Sequence, residues 1–116
     1  MKLPNHENAI ISPEKITGML LSLTHPARRE RAKFFMSLGF SVESWQVLAR
    51  SLHRHAAYHE VAKVETVASG TQYIIDGILL TPTGKTPLVR SIWLVPNGED
   101  IPHFITAYPI EEETTG

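Results

Sequence analysis

The residues of this chain best equipped for chemistry are its six histidines and a scatter of arginines, lysines, threonines and tyrosines. His55 and His59 stand four apart and would share one face of a helix, the spacing of a metal-ligand pair or of a base on a cleft wall. Spacing places no third ligand, and histidines near a helix C-terminus are favoured by the helix dipole alone, so no metal is expected. A single imidazole, His25 or His55, fits general acid or base work, because it titrates near neutrality. Arg90 lies in the string Val89-Arg90-Ser91-Ile92-Trp93, and Thr106 and Tyr108 lie in a second β-like run. Gathered on one sheet, a guanidinium and these hydroxyls suit a phosphate, which arginine grips with two parallel hydrogen bonds. The alternative places Arg90 on the solvent side, paired with Glu65 or Asp76. Lys33, with Arg28, Arg29 and Arg31 beside it, makes a second cationic group, read either as a phosphate clamp or as a lysine whose stem covers apolar surface. Gly-rich phosphate loops, nucleophile elbows and paired metal-binding carboxylates are absent, which argues against nucleotide hydrolases, serine hydrolases and metal-dependent nucleases. No cofactor is expected.

Three helical patterns followed by four strand patterns would have to position these groups. Met1 to Ile11 reads as irregular, with an edge segment over Ala9-Ile10-Ile11. Ser12-Pro13-Glu14 supplies an N-cap, a first-turn proline and an early acid, and Ile16, Met19, Leu20 and Leu23 follow at helical spacing. Thr24-His25-Pro26 breaks that helix and opens a second one. Its buried stripe is Ala32, Phe35, Met36 and Leu38, and Gly39 ends it. A third helix offers Trp45, Val47, Leu48 and Leu52 to the core and runs out in the histidine-rich stretch from His53 to His59. From Glu60 the period changes to that of strands: 61–67, 71–80, 87–95 and 103–109, separated by short turn-forming segments. Short connections pair neighbouring strands antiparallel, so the expected class is α+β, with N-terminal helices packed on a four-stranded antiparallel meander. Alternation puts Val89, Ser91, Trp93 and Val95 on one face of the third strand and Leu88, Arg90, Ile92 and Leu94 on the other. The same rule gives Phe104, Thr106 and Tyr108 a common face.

The 116 residues amount to one domain over 1–116, with residues 111–116 expected to form a flexible tail. No apolar run is long enough to span a bilayer and the N-terminus has no signal-peptide pattern, so a soluble protein with no membrane partner is expected. The absence of cysteine removes disulfides and thiolate chemistry and fits the cytoplasm. Net charge is −1, but it is uneven: six bases against two acids from His25 to His55, and five acids without a base in the last twenty-one residues.

The strings LPNHENAII, THPARRERAKFFMSLGF and VRSIWLVPNGEDIPHFITAYPI resemble an uncharacterised bacterial domain family, found as a short standalone protein, often cyanobacterial, or as the last domain of polymorphic-toxin and phage-related proteins. The resemblance spans Leu3 to Ile110. Helices followed by a four-stranded meander ending in Thr-Ala-Tyr-Pro also look like the barnase/EndoU/colicin/RelE group of metal-independent ribonucleases. That likeness implies an RNA-cleaving toxin domain in which Lys33, Arg90, Thr106 and Tyr108 act with His25 or His55, while Arg28, Arg29 and Arg31 hold RNA. The family's lysine position corresponds to Lys33 and its V-R-[TS]-[IV]-W string to Val89 to Trp93; Ser91 stands where threonine is commoner, and His103-Phe104 replaces a more basic or aliphatic pair. The partners implied are an RNA substrate and a small cognate inhibitor. The competing readings are a non-enzymatic protein-binding module, antitoxin-like or immunity-like, and an inactive copy of the fold; near-zero net charge favours the former, since many ribonuclease toxins are strongly basic.

Overall fold

The computed structural model describes residues 1–111; the tail expected beyond Glu111 lies outside the described residues. Helix α1 (Pro13–Lys15) passes directly into a π-helical turn (Ile16–Leu20), a 3₁₀ turn (Pro26–Arg28) leads into α2 (Arg29–Ser37), and α3 spans Trp45–Tyr58. Strands β1 (Val61–Val67), β2 (Gly70–Ile78), β3 (Leu88–Pro96) and β4 (His103–Pro109) form one antiparallel sheet in the order β1-β2-β3-β4. This is the α+β meander that the change of period implies.

The first helix is shorter than its spacing suggests, for a local reason. The Leu21 amide bonds the Ile16 carbonyl, 2.9 Å away, and this five-residue step puts one extra residue into the turn, underwinding the chain by one position. Leu21 therefore turns inward at 2% exposure, and Leu23, expected in the buried stripe, is 44% exposed. Neither Thr24 nor His25 caps α2 with its side chain; His25 occupies the N-cap position of the 3₁₀ turn in extended backbone. On α3 the buried positions are Leu48, Ser51, Leu52, His55 and Ala56, a stripe at three- and four-residue spacing. Val47 falls outside that stripe and faces solvent.

The helices cover one face of the sheet. Ile75, Val89, Trp93, Phe104 and Ala107 from the strands join Leu20, Phe35, Leu48 and Leu52 in a single buried cluster. Trp93 and Phe104 are paired residues on β3 and β4 and meet edge to face, with ring centroids 5.3 Å apart. Each such side chain, fully buried, stabilises the fold by roughly 1.5–3 kcal/mol. The N-terminal segment, expected to be irregular, contains a short 3₁₀ turn (His6–Asn8) and is docked: Leu3 is buried, and Ile10 makes a parallel bridge to His103, the first residue of β4.

Two bulges set which side chains face which way. On β4, Trp93 pairs with Phe104 but Ile92 pairs with Thr106, so Ile105 is an inserted residue. Phe104 consequently enters the core while Thr106 and Tyr108 emerge on the uncovered face, which corrects the expectation that all three share a side. On β1 the register shifts between Val61 and Lys63. The β1–β2 hairpin depends on Gly70, where a Cβ would lie 2.1 Å from the Val95 carbonyl oxygen of the neighbouring strand. Gly84, at φ +81°, has open space around it. Gly70→Ala is expected to cost ~2 kcal/mol or more, because backbone must move, and Gly84→Ala ~1 kcal/mol from left-handed strain alone. Urea unfolding of the two variants checks the order; equal losses would show that the β2–β3 ladder yields easily at this point.

Candidate functional site on the uncovered sheet face

The face of the sheet that the helices leave open carries a row of cross-strand partners. Asp76 on β2 pairs with Arg90 on β3, and Arg90 pairs with Tyr108 on β4. Direct opposition in an antiparallel sheet brings such side chains into contact. Arg90 Nε donates to Asp76 Oδ1 at 2.7 Å and Nη2 to Oδ2 at 2.9 Å, a two-pronged ion pair. Asp76, and after it Tyr108, hold the Arg90 guanidinium protonated even more firmly than an ordinary arginine. Asp76 thus fixes the plane of the cation and leaves its remaining edge toward Tyr108.

A second cation reaches the row from α2. Arg31 Nη1 donates to Thr106 Oγ1 at 2.9 Å, and its guanidinium carbon lies 5.5 Å from the centre of the Tyr108 ring. Tyr108 therefore sits between two guanidinium groups. Arg31 achieves this because Ala32 and Phe35, on the buried stripe of α2, hold the helix against the core and the intervening residues fan outward. Lys33, two positions on and so on the other side of the helix, pairs with Glu30 at 3.5 Å. Arg29 turns back to the Leu23 carbonyl at 3.3 Å, and Arg28, the last residue of the 3₁₀ turn, is half-buried.

Arg31, Arg90, Thr106 and Tyr108 are thus brought together, whereas among the described residues no hydrogen bond or ion pair links Lys33, His25 or His55 to them. Arg31, read from sequence only as an RNA contact, takes the place expected for Lys33. Asp76 was foreseen only as one of two possible partners of Arg90. Glu65, the other, pairs instead with Lys63 at 2.8 Å. Strand alternation puts both acids on the open face; strand order leaves Glu65 on β1, which does not neighbour β3, and the register of β2 against β3 sets Asp76 opposite Arg90.

His55 belongs to the interior. It is 2% exposed, and its ring is hydrogen-bonded at both nitrogens: Nδ1 to Ser91 Oγ at 2.9 Å, and Nε2 to the carbonyls of Gly77 at 3.0 Å and Val89 at 2.9 Å. Carbonyls only accept, so Nε2 carries the proton and Nδ1 accepts from the Ser91 hydroxyl. Ser91 in turn accepts from Trp93 Nε1 at 2.9 Å. His59 stands edge to face with His55, ring centroids 5.0 Å apart, and donates from Nε2 to the Ile78 carbonyl at 2.9 Å. The spacing that suggested a ligand pair instead delivers two imidazoles to the end of β2, beyond the first residue of β1. There they donate to the carbonyls of Gly77, Val89 and Ile78, and those of Gly77 and Ile78 lie beyond the last β1 pair.

These features define a small α+β protein whose helices cover one sheet face and whose other face bears an arginine, threonine and tyrosine cluster. The chain belongs to the family described as Domain of unknown function (DUF6883), whose model matches residues 2–111. Among solved structures it is similar to a chain of a contact-dependent growth inhibition toxin–immunity protein complex from Klebsiella pneumoniae 342. The TM-score is 0.69 at 20% identity, over 92% of this chain and 97% of that one, which establishes a shared fold. No curated protein matches the chain. No helix among the described residues is long and apolar enough to cross a membrane.

Burial lowers the pKa of His55 below the ordinary imidazole value, with His59 adding to the effect and the Gly77 and Val89 carbonyls opposing it. The unfolded chain therefore binds a proton here more readily than the folded one. The stability His55 contributes is complete above the unfolded value of about 6.5 and falls away as pH drops through the lower folded value. NMR titration of the His55 ring should give a midpoint below that of a free imidazole; a midpoint at or above it would mean that the buried network accepts the charged ring.

Proposed function

We propose that the uncovered sheet face cleaves RNA without a metal ion, making this a ribonuclease-like toxin domain that acts in the cytoplasm and is held in check by a small cognate inhibitor. The observation that carries the reading is the placement of Tyr108 between the guanidinium groups of Arg31 and Arg90. A phosphodiester lying over this row would meet two cations, with the hydroxyls of Tyr108 and Thr106 interleaved with them. Attack by the ribose 2′-oxygen on phosphorus breaks the bond to the 5′-oxygen and leaves a 2′,3′-cyclic phosphate and a free 5′-hydroxyl. Negative charge rises on the phosphoryl oxygens on the way, and positioned cations stabilise that charge most strongly where water is thin. In this reading the Tyr108 hydroxyl protonates the departing 5′-oxygen, the 2′-hydroxyl proton passes to solvent water, and the phenolate regains a proton from water before the next turnover. Asp76 positions Arg90 and does not itself touch the substrate. The resemblance to metal-independent ribonucleases supports the reading, and the likeness to a chain of a toxin–immunity complex is in keeping with a toxin-related or immunity-like module.

A second reading, a non-enzymatic immunity-like or antitoxin-like module, draws on two observations: Arg90 is already neutralised by Asp76, and no histidine among the described residues joins the row. Docking a protein against a preformed ion pair needs neither a free cation nor a base.

Incubation of total RNA with purified protein in the presence of a chelator separates the two. Cleavage is expected to persist, and Arg31→Ala, Arg90→Ala and Tyr108→Phe should each lower its rate by about 100-fold, the usual scale for loss of one charge-stabilising or proton-donating group. Intact RNA after treatment with folded wild-type protein would discard the ribonuclease reading in favour of the docking module.

A further inference from the structure

Away from the arginine row, α3 and the end of β2 enclose an apolar groove. One pocket of about 170 Å³ opens between Ser51, Arg54 and Tyr58 on the helix and Ile78 and Leu80 on the strand side. A second, of about 250 Å³, continues past Val47 and Pro82 and shares Ser51, Arg54 and Leu80 with the first. Four large apolar side chains along it are open to water: Tyr58 at 66% exposure, Ile78 at 46%, Leu80 at 43% and Val47 at 36%. Isolated exposed residues of this kind need no explanation, but a contiguous set of them does. The floor is rigid, since His55 and His59 tie α3 to the β2 carbonyls beneath it.

The groove is elongated and divided, which argues for a length of polypeptide rather than one compact ligand. From Val47 to Tyr58 the helix rises ~16 Å, the reach of about five residues of extended chain. Its charge has one sign. Arg54 stands where the two pockets join and Arg50 lies one turn before it, and among the described residues neither is within ion-pair distance of a carboxylate. Apolar walls of this extent have nothing to offer a phosphate backbone, which needs cations along its whole track.

We propose that this groove docks an acidic, amphipathic segment of a partner protein, with two apolar side chains filling the two pockets and a carboxylate between them pairing with Arg54. The segment recognises the chain through aliphatic or aromatic anchors, and Arg54 gives it orientation and selectivity. The groove shares no residue with the Arg31–Arg90–Thr106–Tyr108 row, so it stands whether or not RNA is cut there. A partner seated here would leave the open sheet face accessible.

A random dodecapeptide library displayed on phage, panned on the full chain, tests the proposal, with Arg54→Glu and Leu80→Asp proteins as counter-targets. Both positions are exposed, and thermal melts confirm that the two variants fold. Enriched peptides are expected to carry at least two large apolar residues and an intervening aspartate or glutamate. They should bind each variant at least tenfold more weakly than wild type, and their amide shift changes in NMR spectra should centre on residues 47–58 and 78–82. Failure to enrich over the counter-targets, enrichment of peptides lacking an acidic residue, or shift changes centred elsewhere would overturn it. So would a dimer in sedimentation velocity that Leu80→Asp dissolves, because the groove would then belong to a second copy of this chain.

Discussion

The hydrogen-bonded chain from Trp93 through Ser91 to His55, and on to the carbonyls of Gly77 and Val89, joins helix to sheet in this protein. Every member is buried or bonded to backbone, and the donor and acceptor roles run in one direction. Trp93 can only donate and the carbonyls can only accept, so the proton positions between them follow. Removing the imidazole would strand several polar groups in a dry interior, each at about 1–3 kcal/mol. It would also free α3 to shift along the sheet. An apolar contact of the same area would hold the helix down without fixing its position, whereas hydrogen bonds to particular carbonyls hold one register.

That joint has consequences on both surfaces of the sheet. On the helical side it sets α3 against the end of β2, and so forms the groove around Arg54. On the other side it acts indirectly. Because Val89, Ser91 and Trp93 are committed to the interior, the alternation of β3 obliges Arg90 to face outward. The ladder to β2 then offers it Asp76, and the ladder to β4 offers it Tyr108. The bulge at Ile105 is the second necessary device. Without it β4 would keep Phe104, Thr106 and Tyr108 on a single face. Either the aromatic partner of Trp93 would leave the core, or the two hydroxyls would be pulled into it.

Electrostatics on the open face is local rather than global. The chain as a whole is slightly acidic, yet two guanidinium groups gather within a few strand spacings, one braced by a carboxylate and one laid over a phenol ring. Such bracing trades net charge for fixed geometry: Arg90 loses the freedom to swing toward a distant phosphate and gains a fixed plane in which to meet a near one. Long-range attraction of a polyanion is weak for a protein so composed. Recognition at this row therefore depends on contact geometry more than on steering.

The order of helices and strands was legible in the linear pattern, since the change from a period of about 3.6 to a period of 2 near Glu60 is a property of neighbours along the chain. So was the separation of Arg90 from Val89, Ser91 and Trp93 onto opposite faces, because alternation is equally local; that Arg90's face is the uncovered one came only with the packing of the helices on the other. Other assignments were not. The inward turn of Leu21 in place of Leu23 comes from one π-type hydrogen bond, and the separation of Phe104 from Thr106 comes from one inserted residue. Neither leaves a mark in hydropathy. Asp76 rather than Glu65 meets Arg90, and Arg31 rather than Lys33 reaches Tyr108, through the pairing of strands distant in sequence and the seating of α2 on the core. His55 shows the same division most plainly. Its helical spacing from His59 follows from the chain alone, but burial against the carbonyls of β2 and β3 made it a neutral structural link, and only the packed fold brings those carbonyls to it.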